Sequence, residues 1–166
     1  MDESEIRVAA AAAVHRLVER GETLATAESL TGGLVAATIV EIPGVSAVYR
    51  GGLVVYATDL KASLAGVPEL LLTERGPVDP QVAVALAAGC RERCGADWGL
   101  ATTGVAGPDP QDGKPVGLVY IAVAGAAGSA VRELQLDGNR DAIRTESVTS
   151  VLRLLSDTLQ EASSRF

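Results

Sequence analysis

The feature that most constrains this chain is a rhythm. Short runs of small apolar residues alternate with longer stretches whose apolar positions recur at helical spacing. "TLATA" (23–27), "GGLVVYA" (51–57) and "WGLATT" (98–103) are short and continuous, and read as buried strands. A helix is expected over 3–20, stopped by Gly21, and a second from about Thr31 to Ile42, ended by Pro43-Gly44. A short helix runs through "DLKASLAG" up to Gly66-Val67-Pro68. "TERGPVDP" (73–80) reads as a loop into a helix with Asp79 as N-cap, Pro80 at N1 and an apolar face running to Cys94. "VGLVYIAVAG" and "SAVRELQL" form a hairpin across a Gly-rich turn, and a last helix runs from about Asn139 to Ser163. Strands alternating with helices and closing on a hairpin predict an α/β chain. It should be a three-layer α/β/α sandwich with a mixed, mostly parallel sheet, in one domain over residues 1–166.

Composition sharpens this. Hydrophobic residues make up 48% of the chain but aromatics only 3%, so the core is built from Ala, Val, Leu and Ile, and helices can lie close to the sheet. A net charge of -7 weighs against a nucleic-acid partner, which needs a basic face, although a few local donors can still hold one phosphate. No stretch approaches the ~18 uninterrupted apolar residues of a membrane span. Acidic residues precede the alanines of "MDESEIRVAAAAAVHRLVERG", unlike a secretory leader. A cytoplasmic protein with no membrane partner is expected. Cys90 and Cys94 stand one helical turn apart with no further Cys and a single His, so they read as core thiols and no metal site is expected.

In open α/β sheets, ligands bind beyond the carboxyl ends of the strands. Three segments lie there: 28–33, 56–61 and 102–110. They can meet in one cleft. Familiar motifs fail in them. "GPDPQDGKP" has five residues between Gly107 and Gly113 where a phosphate loop has four, and Pro115 follows Lys114 where that motif has Ser or Thr. "DPQDG" lacks the carboxylate spacing of a calcium loop. His15, the only histidine, falls on the outer-looking first helix, which leaves no Ser-His-Asp triad.

In "TLATAESLTGGLVAA", Ser29 stands at the bend between two buried elements, followed by Gly32 and Gly33. Ser29 or Thr31 could simply cap a helix. The chemical alternative is a nucleophile over a ring of backbone N–H groups that could meet an oxyanion. Its base would be Lys61. A lysine is a base only when neutral, and moving its pKa from about 10.4 to near 7 takes roughly 4–5 kcal/mol, which burial can supply. The helix N-terminal dipole would act in the same sense. Tyr56 could relay a proton or fix the geometry. Ordinary alternatives, a solvated lysine and a strand aromatic, remain open on spacing alone.

Taken together, "AESLTGG", "GGLVVYATDLK", "TTGVAGPDPQDGKPVGLVYIA" and "DGNRDAIR" closely resemble, in this order, the CinA C-terminal domain family. The characterised activity of that family is nicotinamide-nucleotide amidase. The resemblance covers about residues 5–160. It implies hydrolysis of the carboxamide of nicotinamide mononucleotide to nicotinate mononucleotide and ammonia, with no metal or organic cofactor, a pyridine mononucleotide as partner and a homo-oligomer. It places the family's serine on Ser29, its lysine on Lys61 and its tyrosine on Tyr56. Oxyanion and substrate binding fall on Leu30, Thr31, Gly32, Gly33, Thr103 and Gly104. Its G-x-R-x-x-I-R pattern falls on Gly138, Arg140 and Arg144, and one of these arginines is expected to face the phosphate. Leu30 stands where many relatives carry Cys, and Ala57-Thr58 replaces the usual Ser-Asn. The N-terminal molybdopterin-binding-like domain of longer relatives has no counterpart in these residues, so its pyrophosphatase activity is not expected. The alternative function is a non-catalytic nucleotide-sensing or partner-binding domain linked to competence or DNA damage.

Overall fold

The computed structural model describes residues 3–164. Five strands form one sheet: β1 (Leu24–Glu28), β2 (Tyr49–Val54), β3 (Trp98–Gly104), β4 (Leu118–Gly125) and β5 (Gly128–Gln135), in the order β2-β1-β3-β4-β5. β1 runs parallel to both β2 and β3, whereas β3–β4 and β4–β5 are antiparallel. The sheet is mixed as expected but not mostly parallel: its pairings divide evenly, because the closing hairpin adds β4 antiparallel to β3 as well as β5 antiparallel to β4.

Helices cover both faces. α1 (Glu3–Arg20), α2 (Leu34–Ile39) and α6 (Arg140–Ser164) pack on one, over Leu24, Trp98, Leu100, Ile121 and Val123. α3 (Thr58–Ser63), α4 (Glu69–Arg75) and α5 (Pro80–Cys94) cover the other, where the sheet presents Ala25, Ala27, Ala101, Ala122 and Ala124. The two sets alternate along each strand, as a pleated sheet buried on both sides requires. The alanine face brings α5 very close: a Cβ on Gly99 would lie 2.0 Å from the Ala87 carbonyl oxygen. The scarcity of aromatics has its structural use here.

Three local features differ from the sequence expectation. α2 starts at Leu34 rather than Thr31, because Gly32 and Gly33 adopt φ of 55° and 104° and form a turn that no right-handed helix can contain. β2 ends at Val54; the Val55 N–H still donates to Glu28 O, but the carbonyls of Val55 and Tyr56 turn out of the ladder as the chain enters α3. "ELLLTER" folds as α4 where only a stop and a loop were expected; it buries Leu72 and is too short for its periodicity to stand out. Among the described residues, no helix is long and apolar enough to cross a membrane.

The topology creates a crevice. From β1 the chain crosses by α2 over one face to β2, then returns by α3–α5 over the other face to β3, on the far side of β1. The connections leaving β1 and β2 therefore depart from the carboxyl ends of these parallel strands toward opposite faces of the sheet. Such switch points are where open α/β sheets bind ligands.

Candidate active site

β1 delivers the site. Its last residue, Glu28, is buried at 2% exposure. Glu28 Oε1 accepts from the Val35 N–H at 2.8 Å and Oε2 from the Ala36 N–H at 3.1 Å. Gly33, the N-cap of α2, has no side chain to do this, so a carboxylate from the preceding strand satisfies the helix N-terminus. The intervening turn, residues 29–33, is then pinned to β3. The Ser29 N–H donates to Thr102 O at 3.1 Å, and the hydroxyls of Thr31 and Thr102 meet at 2.8 Å. Arg144, from the first turns of α6, donates from Nε to Leu30 O at 2.9 Å and from Nη2 to Thr31 O at 3.1 Å.

Lys61 reaches the same point from α3. Its side chain is buried at 1% exposure, and Nζ lies 3.0 Å from Ser29 Oγ, 2.8 Å from Val55 O and 3.2 Å from Tyr56 O. The two carbonyls are those that turn out of the β2 ladder. A neutral amine has two N–H bonds and one lone pair. With both N–H bonds directed to carbonyls, the lone pair is left for the Ser29 hydroxyl. The same three oxygens can accept from an ammonium, so the pocket can also hold the proton once it has moved. Burial pulls the Lys61 pKa down to about 8, and among the described residues no carboxylate lies within ion-pair distance of Nζ. Lys61 is the fourth of six residues in α3, so desolvation, not the helix dipole, is the cause.

Ser29 and Lys61 open onto a cleft of about 270 Å³, at the lower end of the range for small-molecule sites. The three carboxyl-end segments meet there: Ser29 and Leu30, then Tyr56 and Thr58, then Thr103 to Gln111. Thr103 also donates through Oγ1 to Pro77 O at 2.7 Å, which ties the α4–α5 connection to β3. A Cβ on Gly104 would come within 2.8 Å of Leu118 O, so this wall admits no side chain.

The candidate residues separate by position. The Tyr56 hydroxyl is bonded not to Ser29 or Lys61 but to Arg140 Nη2, at 3.2 Å, and the ring is 62% exposed. The relay expectation gives way to a positioning one, in which Tyr56 contributes a main-chain acceptor to Lys61 and a contact to Arg140. Arg140 lines the cleft and also donates to Gly107 O. Arg144 is not among the lining residues, and two of its N–H groups bond the turn. Thr31 is fully buried behind the cleft. Sequence reasoning missed Glu28 and the carbonyls of Val55 and Tyr56. An acid closing an apolar strand run was the only available signal for the first.

Comparisons with known proteins bear on the family and the fold. The sequence model of the CinA C-terminal domain matches residues 7–159. A CinA-like protein of Frankia casuarinae is 54% identical over 139 residues, covering 84% of this chain and 32% of the relative. A CinA-like protein of Geobacter sulfurreducens is 49% identical over 152 residues, covering 90% and 37%. The chain thus spans about a third of the length of these curated relatives. Among solved structures, the competence/damage inducible protein CihA of Agrobacterium tumefaciens superposes with a TM-score of 0.90 at 36% identity, covering 96% of this chain and 98% of that one. A competence-damaged protein (CinA) superfamily member from Escherichia coli gives 0.88 at 28% identity, covering 94% and 92%. From its motifs, its fold and these matches, the chain belongs to the CinA C-terminal domain family.

Proposed function

We propose that this domain is an amidohydrolase acting on the carboxamide of nicotinamide mononucleotide, with Ser29 as nucleophile and Lys61 as general base. The observation that carries the reading is a buried lysine amine within 3.0 Å of a serine hydroxyl, with a pKa lowered to about 8 and no acidic partner among the described residues. A cleft that only binds nucleotides has no need to hold an amine in this state. The substrate comes from the activity characterised in the family. The size of the cleft supports a small molecule, and Arg140 at its edge supports an anionic group.

In this mechanism, neutral Lys61 takes the Ser29 proton as Oγ attacks the carboxamide carbon. The negative charge that develops on the amide oxygen is met by main-chain N–H groups of the turn after Ser29. The Lys61 ammonium returns its proton to the departing nitrogen, and ammonia leaves. Water, deprotonated by the same amine, then attacks the acyl carbon; as the ester bond breaks, Lys61 returns that proton to Ser29 Oγ, and nicotinate mononucleotide leaves. Arg140 holds the phosphate, and Thr58, where many relatives have Asn, tunes the fit of the cleft.

Ammonia release from nicotinamide mononucleotide by wild type, Ser29→Ala and Lys61→Met tests this. Both variants should lose at least about 10³-fold in kcat. A fully folded wild type that releases no ammonia overturns the substrate assignment and favours the sensing role. Near-wild-type turnover by Ser29→Ala overturns the nucleophile.

A further inference from the structure

The geometry points to Arg144 as a positioning residue that fixes and polarises the oxyanion-binding peptides rather than as a ligand of the substrate phosphate. This rests on the amidase reading above.

Two hydrogen-bond paths carry it. Arg144 Nε donates to Leu30 O at 2.9 Å, and the N–H on the other side of that peptide bond belongs to Thr31. Arg144 Nη2 donates to Thr31 O at 3.1 Å, whose peptide carries the Gly32 N–H. The Gly32 N–H donates to Ser29 O at 3.0 Å, and the peptide of Ser29 O carries the Leu30 N–H. Each path thus begins at the guanidinium and ends at a backbone N–H, on Thr31 in one case and Leu30 in the other. Among the described residues, neither N–H has an acceptor within the chain, nor has that of Gly33, while the amides of Ser29, Gly32 and Leu34 are bonded. Of the two, Leu30 directly follows the nucleophile and lines the cleft, so its N–H is the one placed to meet the oxyanion, whereas Thr31 is buried behind the cleft and its peptide holds the turn.

A C=O that accepts from a cation withdraws electron density from its peptide and makes the opposite N–H a better donor. Successive bonds in a chain reinforce one another. Main-chain donors fixed before charge develops need no reorganisation when it does. Arg144 supplies both effects, and among the described residues it forms no ion pair with a carboxylate, so its charge acts on the turn. Gly32 lets the guanidinium approach: a Cβ there would stand 3.7 Å from Nη2, on a residue with φ of +55°.

Phosphate binding and positioning separate on a substrate without a phosphate. Ammonia release from nicotinamide mononucleotide and from nicotinamide riboside should be measured with wild type, Arg144→Met and Arg144→Lys. Arg144→Met should lower kcat/KM for both substrates by the same factor, about 10- to 100-fold, mainly in kcat for the nucleotide. Arg144→Lys, which keeps the charge but not the fork, should recover part of this. A rise in KM confined to the nucleotide, with the riboside rate unchanged, would overturn the inference and return Arg144 to the phosphate. If wild type turns over neither substrate, the substrate reading has failed, and a phosphonofluoridate decides about Arg144. Ser29 Oγ bonds to its phosphorus, fluoride leaves, the proton passes to Lys61, and the phosphoryl oxygen occupies the oxyanion position. Equal phosphonylation rates in wild type and a folded Arg144→Met variant would then sink the role of Arg144. A 10-fold or larger fall supports it.

Discussion

Glu28 shows how much of a site can rest on one side chain that never touches a substrate. Its two oxygens take the first free N–H groups of α2, and Ser29 leaves the strand at the very next residue. Glu28→Ala would leave two amides without acceptors, one of them buried, at a cost of about 1–3 kcal/mol for the buried group. The expected outcome is a destabilised domain whose remaining folded fraction also turns over slowly, because the turn loses its anchor. Glu28→Gln, which keeps one acceptor oxygen, should fall between the two. Urea titration and ammonia release on the same samples check both effects, and unchanged kcat in folded Glu28→Ala would separate the cap from the chemistry. Ser29 and Lys61 are legible in the sequence through the motifs shared with the family, since spacing alone leaves a capping serine and a solvated helix lysine open. The motifs mark Arg144 as a candidate for the phosphate and do not mark Glu28 at all, since the partners of both are main-chain atoms that any residue could supply. Only the folded turn shows which carbonyls and amides are in reach.

At the scale of elements, the alternation of short apolar runs with helical periods was enough to place β1, β3, the β4–β5 hairpin, α1, α5 and α6, because each is long or bounded by Gly, Pro or a capping Asp. Asp79 does cap α5, accepting from Gln81 and Val82. α4 and the late start of α2 were not legible. Seven residues give too few repeats for periodicity, and positive φ at a Gly-Gly pair looks the same in sequence as a helix packed closely on a strand. The close seating of α5 also leaves only a faint trace, a glycine inside a strand. It has a measurable consequence. Gly99→Ala would drive a methyl group into Ala87 O and against Arg91 Cβ, the latter 3.0 Å away. Since these are helix atoms and not the flexible end of a side chain, α5 must lift from the sheet. The expected loss is about 1–3 kcal/mol, read as a lower denaturant midpoint. Ala122, on the same face and already carrying its methyl group, offers a control: Ala122→Gly should cost only about 1 kcal/mol through cavity and backbone entropy.

For the molecule as a whole, one proton couples folding to rate. In the unfolded chain Lys61 titrates at its ordinary 10.5, and in the folded protein at about 8. Between these values the unfolded state binds more protons, so the contribution of this site to stability rises with pH across that window and is constant below it. The acid side is the unfavourable one: below about pH 8 the amine is protonated in both states, and the fold carries the full cost of desolvating the ammonium. Lys61→Met removes the titration and leaves the other groups in place, so the difference between variant and wild type isolates it. The methionine variant should be most favoured relative to wild type near pH 7. That advantage should shrink by about 2–3 kcal/mol on going to about pH 10, as read from urea unfolding at each pH. Activity follows the same group with the same sign, because only the neutral amine accepts the Ser29 proton. The wild-type kcat/KM should therefore rise roughly tenfold per pH unit below about pH 8 and level off above it. A stability difference that does not change with pH would mean that Lys61 is not desolvated. A rate profile that is flat over the same range, with chemistry rate-limiting, would mean that another group takes the proton.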